Sequence, residues 1–173
     1  MNLVEKIQKE HSKENCYQIV SWVGNNQVRF DQLFKLFLEA ELRVTQRASW
    51  PFSYAAIAHP GLMKKHFERL LANLNKPALH GAVKRNTLRF LKEIEIPERH
   101  HGAILEKCFH YLESQEEEVA IKSFALEILS QLAKKYPEII PEIKILIEDQ
   151  IQHQKPAFKS TAKKFLAAHQ HLQ

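Results

Sequence analysis

Lys84, Lys122 and Lys159 stand 38 and 37 residues apart, and each follows an apolar residue, Val83, Ile121 or Phe158. Cations repeated at such a step are suited to one kind of chemistry, the holding of an anion. Arg85, Arg89, Lys163 and Lys164 lie near them in the chain, and Arg47 stands about one repeat step before Arg85. Spaced point charges attract an acidic peptide, a phosphorylated segment or a nucleic-acid backbone, through electrostatic attraction and counterion release. The same residues also suit a ladder in which every cation pairs with a carboxylate of its own or the next repeat, and the spacing leaves both uses open.

A second cluster is Trp50-Pro51-Phe52, with Tyr54 close behind. A proline this deep in a helical pattern is expected to kink the helix and free backbone carbonyls, which can open a pocket. Beside Arg47, a partly exposed Trp50 would anchor a partner residue, as aromatic and Arg residues do at interface hot spots. Its other use is to fill space between an N-terminal cap and the first repeat. Trp22 is expected in the core.

Other chemistry finds little material. No His pair has the i, i+4 spacing of the helical zinc motif, His100 and His101 fall at a helix start, and His169 and His171 fall in a terminal tail. There is no Gly-rich phosphate loop, no G-x-S-x-G, and no Cys near a plausible base. Cys16 and Cys108 have neither metal nor redox spacing and read as buried thiols. No acid, base and nucleophile assemble, so the expectation is a nonenzymatic chain without metal or cofactor.

These residues need a scaffold, and composition restricts its class. The chain has 173 residues, 45% hydrophobic and 26% charged, the balance of one globular domain. With only 4 Gly and 7 Pro, the turns required by an all-β fold are scarce. The first ten residues carry Glu5, Lys6, Lys9 and Glu10, unlike a signal peptide, and no stretch has the apolar length to span a bilayer. A cytoplasmic location without membrane contact is expected. The formal charge of +5 favours acidic partners and is mild for a dedicated nucleic-acid binder.

The scaffold itself is visible as a repeat. Ala82-Val83-Lys84, Ala120-Ile121-Lys122 and Ala157-Phe158-Lys159 share a pattern, with Val44-Thr45-Gln46 as a degenerate first copy. Phe34, Leu71, Phe109 and Ile147 repeat independently at steps of 37, 38 and 38. Each unit contains two stripes of helical period, such as Ile104, Leu105, Cys108, Phe109 and Leu112, then Ile121, Phe124, Ala125, Ile128, Leu129 and Leu132. Prolines 77, 97, 137 and 156 punctuate them. Ser114 with Glu117 reads as a capping box, and Glu116 to Glu118 as carboxylates at a helix start. The pattern predicts helices at 28 to 39, 41 to 58, 61 to 75, 78 to 95, 99 to 113, 116 to 135, 139 to 153 and 156 to 169. Two shorter ones, at 2 to 11 and 13 to 24, precede them.

Ile121-Lys122 with Ala125 and Phe158-Lys159 with Ala162 match the opening of the second helix in HEAT repeats, and Val83-Lys84 with Thr87 nearly does. Over residues 26 to 170 the chain therefore resembles HEAT and armadillo repeat proteins. Their usual acidic residue three positions earlier is kept only as Glu118, with His80 and Lys155 standing there in other copies. The segment His80 to Arg89 is also similar to one in small bacterial HEAT-like proteins, a resemblance that implies no assigned chemistry. The resemblance implies an all-α fold, a right-handed α-solenoid of four two-helix repeats after a cap at residues 1 to 25, in one domain. It also places the second helices on a concave wall carrying Arg47, Trp50, Lys84, Arg85, Arg89, Lys122 and Lys159. The expected function is a scaffold for a protein or acidic peptide. The alternative is nucleic-acid binding, as in similar DNA glycosylases acting on alkylated bases, although both aspartates, Asp31 and Asp149, fall on expected first helices, away from that wall.

Overall fold

A computed structural model describes residues 1–170. Those residues form ten α-helices with short 3-10 turns and no strand. The chain divides into two compact units, Met1–Ile94 and Glu95–Gln173.

The first unit contains α1 (Leu3–Lys9), α2 (Lys13–Val23), α3 (Gln27–Glu39), α4 (Leu42–Ala58), α5 (Phe67–Asn73) and α6 (Gly81–Leu91). Four starts are capped by side chains. Asn2, Ser12, Asn26 and His80 each accept a backbone N–H of the first turn, which satisfies a donor that has no partner within the helix. The long α4 packs against α1, α2, α3 and α6. Its Phe52 is fully buried and meets Phe37 at 4.1 Å and Phe34 at 5.7 Å between ring centroids. Phe30 and Phe90 extend the same aromatic core.

The second unit contains α7 (His101–Glu113), α8 (Val119–Leu132), α9 (Ile140–Gln150) and α10 (Pro156–Ala168). Here α8 packs against α7 on one side and α10 on the other, and Ile121, Ala125, Ile128 and Leu129 are fully buried.

The repeat register sets this burial. Val44, Val83, Ile121 and Phe158 are all buried, and so are the residues four positions later, Ala48, Thr87, Ala125 and Ala162. An apolar residue followed one turn later by a small one lets the second helix of a pair lie close to its neighbours.

Several boundaries differ from the sequence expectation. The helix expected over 61 to 75 is a 3-10 turn, Pro60–His66, followed by α5. The one expected from 78 begins at Gly81, because Ala78 has φ +52°, outside the right-handed helical region. The capping box at Ser114 does not form: the hydroxyl accepts Glu116 N–H in a turn, and α8 starts at Val119 with Glu118 as N-cap. Pro51 is buried within α4, which continues unbroken from Leu42 to Ala58. Trp22 is half-buried, with Arg29 over its ring at 5.1 Å, and not in the core. His171 lies outside the described residues.

Candidate binding surface

In the first unit, α2, α4 and α6 bring aromatic rings and cations together. Trp50 and Tyr54 lie one turn apart on α4 with centroids 6.4 Å apart, edge to face. Tyr17 of α2 meets Tyr54 edge to face at 5.8 Å, and His11 meets Trp50 at 5.4 Å. Lys13 stands over Tyr17 at 5.7 Å and Arg89 of α6 over Tyr54 at 5.8 Å, distances at which a cation is drawn to a ring face. Tyr17 is 47% exposed, while Trp50 and Tyr54 are half-buried.

Buried polar residues support this cluster from behind. Ser53 donates to Asn86 Oδ1 at 3.1 Å, and Arg89 Nη1 donates to the same oxygen at 2.7 Å. Asn86 Nδ2 in turn donates to the Ala82 carbonyl at 2.8 Å. Arg89 also lies close enough to Cys16 for its charge to act there, but burial dominates and pushes that thiol up to about 12. The thiol of Cys108 is likewise raised by burial. Neither is a nucleophile at neutral pH.

The residues singled out by sequence separate into different environments. Arg47 is half-buried, and its Nη1 donates to the carbonyl of Gln8 at the end of α1, 2.5 Å away. Lys84 and Arg85 are half-buried on α6, each with an interaction of its own. In the second unit Lys159 Nζ donates to the Gln152 carbonyl at 3.0 Å. Lys122 is a correction to the expected row, because it is only 2% exposed and its Nζ donates to Gln150 Oε1. Burial holds that ammonium below its ordinary pKa, with the Glu117 carboxylate opposing. Arg47 and Lys159 thus bind carbonyls at helix ends, where the dipole favours a cation, an arrangement outside both sequence alternatives.

Tyr17, Lys13 and His11 were not selected from sequence. A signal existed, since Tyr17 stands 37 residues before Tyr54 and so continues the repeat step into α2. Charge carries another. Met1–Ile94 holds 15 Lys and Arg against 8 Asp and Glu, whereas from Glu95 onward there are 10 against 12. The cationic excess therefore belongs to the first unit.

Asp31 has a structural position. Lys65 Nζ reaches Oδ2 at 2.6 Å, His66 Nε2 lies 2.5 Å from Oδ1, and Gln27 Nε2 donates to Oδ1 at 2.8 Å. Desolvation raises its pKa, but the hydrogen bonds from Lys65, His66 and Gln27 outweigh it and hold the group at about 2. Among the described residues, no group of three His, Cys, Asp or Glu is placed to hold a metal, and no helix is long and apolar enough to cross a membrane.

A family model, described as a HEAT repeat domain, matches residues 3–169. The chain belongs to the HEAT repeat family. No curated protein and no solved structure matches it. Within each unit one pair of consecutive helices packs closely, α3 against α4 in the first and α7 against α8 in the second, and the family match beginning at residue 3 takes in α1 and α2 as well. HEAT repeat domains are helical-repeat scaffolds that typically mediate protein interactions.

Proposed function

We propose that this HEAT repeat protein is a noncatalytic scaffold that binds an acidic peptide segment of a protein partner on the α2, α4 and α6 face of the first unit. One observation carries the reading: the edge-to-face series Trp50, Tyr54, Tyr17 with Lys13 and Arg89 over its rings. The surrounding unit has nearly twice as many cations as carboxylates. Aromatic rings held by their neighbours lose little side-chain freedom on binding, and Arg and Trp are enriched among residues that dominate interface energy. The cations attract carboxylates and speed encounter.

The test is titration of the full chain with a fluorescent Glu-rich peptide and, in parallel, a single-stranded oligonucleotide of equal charge. Tyr17→Ala removes an exposed ring with little effect on the fold. Peptide binding that weakens at least fivefold in Tyr17→Ala and in Lys13→Glu supports the reading. Preference for the oligonucleotide, with the same variants weakening it, assigns the face to nucleic acid, which also uses stacking rings beside cations. Binding of neither ligand removes the proposal.

A further inference from the structure

The helix α6 opens on a cap of a different chemistry from those of α1, α2 and α3. His80 Nδ1 accepts the backbone N–H of Ala82 at 3.1 Å. A backbone N–H can only donate, so Nδ1 carries no proton and the neutral ring holds its proton on Nε2. The side-chain oxygens of Asn2, Ser12 and Asn26, which cap the first three helices, remain acceptors at any pH near neutrality. Histidine differs, because its charge changes between about pH 5 and pH 8.

Proton uptake at Nδ1 opposes the cap in two ways. It replaces the acceptor with a second donor aimed at the Ala82 N–H, and it sets a positive charge at the positive end of the helix dipole. The charged side chains of the adjoining elements add to the cost. They are Lys76 in the preceding loop, Lys84, Arg85 and Arg89 on α6, and Arg43 and Arg47 on α4, which packs along α6. All are cations, and neither α4 nor α6 carries a carboxylate to offset a histidinium.

A short chain of hydrogen bonds ties this cap to the ring cluster. The Ala82 carbonyl accepts Asn86 Nδ2 at 2.8 Å, and Asn86 Oδ1 accepts both the Ser53 hydroxyl of α4 and Arg89 Nη1. Arg89 is the cation that stands over Tyr54. Ala82 thus meets His80 through its N–H and Asn86 through its carbonyl.

We propose that His80 is a proton-sensitive cap of α6, closed near neutral pH and released by acid, and that its release loosens the Asn86 support beneath Arg89. The cap stabilises α6 while the ring is neutral, and that contribution is lost as pH falls and the folded chain takes up the proton. The device is independent of peptide binding and would stand if no peptide bound.

NMR of the full, ligand-free chain between about pH 7.5 and pH 5, the range of histidine titration, tests it. His80→Asn supplies a cap that does not titrate, and His80→Ala a helix without one. Amide exchange, taken against the intrinsic rate at each pH, reports the cap at Ala82 and the first turn at Val83 and Lys84, whose N–H groups bond to the His80 carbonyl. Protection at these amides should fall about fivefold in the wild type, the scale of one N-cap, in step with the His80 ring resonances. It should hold throughout in His80→Asn and be absent at both ends of the range in His80→Ala. Constant protection at Ala82 while the His80 ring titrates overturns the proposal, as does an equal acid loss in His80→Asn or a ring that stays neutral to the end of the range. An Asn86 side-chain amide that does not respond overturns the link to Arg89.

Discussion

Arg47 on α4 donates through Nη1 to the main-chain carbonyl of Gln8, 2.5 Å away and 39 residues earlier in the chain. The bond holds the end of α1 against α4, where Asn15 takes two further carbonyls of the same segment. A helix of seven residues, Leu3–Lys9, is too short to persist without such tertiary ties.

Replacing Arg47 with Met should therefore loosen α1 specifically. The expected cost is about 1.5 kcal/mol, the scale of a hydrogen bond to a charged group. Amide hydrogen exchange checks it: protection should fall in residues 3 to 9 and remain in α8. Uniform loss across both units would show that Arg47 has a wider role.

Lys122 and Lys84 are equivalent in the repeat and should respond differently to charge reversal. Lys122→Glu puts a carboxylate into a 2% exposed position facing an amide oxygen, and should cost about 3 kcal/mol or more. Lys84 is only half-buried, and Lys84→Glu should cost about 1 kcal/mol or less. Denaturant unfolding of both variants decides the matter, and equal losses would count against the buried position of Lys122.

Ala78 is exposed with φ +52°, a conformation that glycine adopts without strain. Ala78→Gly should be stabilising or neutral, by up to about 1 kcal/mol, despite the greater freedom it gives the unfolded chain. A thermal melt showing clear destabilisation would mean that the loop before α6 has another backbone conformation.

The Asp31 cluster gives a pH dependence. Its carboxyl is lowered from 3.8 to about 2 in the folded chain, so its contribution is present above the unfolded value and is lost as pH falls through the folded one. Asp31→Asn should lower stability at neutral pH and flatten the decline between about pH 4 and pH 2. Acid titration of unfolding for the two proteins, compared at equal salt, measures the difference, and parallel curves would remove the assignment.

Val83, Ile121 and Phe158, with Thr87, Ala125 and Ala162 one turn later, made three helices and their buried faces legible, because period and side-chain size determine which stripe leaves water. The same repetition identified the cations but not their surroundings. Lys84, Lys122 and Lys159 look alike in sequence, yet one is half-buried, one is enclosed beside Gln150, and one binds a carbonyl. Which acceptor a long side chain reaches depends on how neighbouring helix ends pack, and no local pattern records that. The meeting of Tyr17, Tyr54 and Arg89 likewise required three helices separated in sequence to come together. Sequence by itself determined the helices, the repeat and the family; tertiary packing decided which charges are enclosed and which rings share a surface.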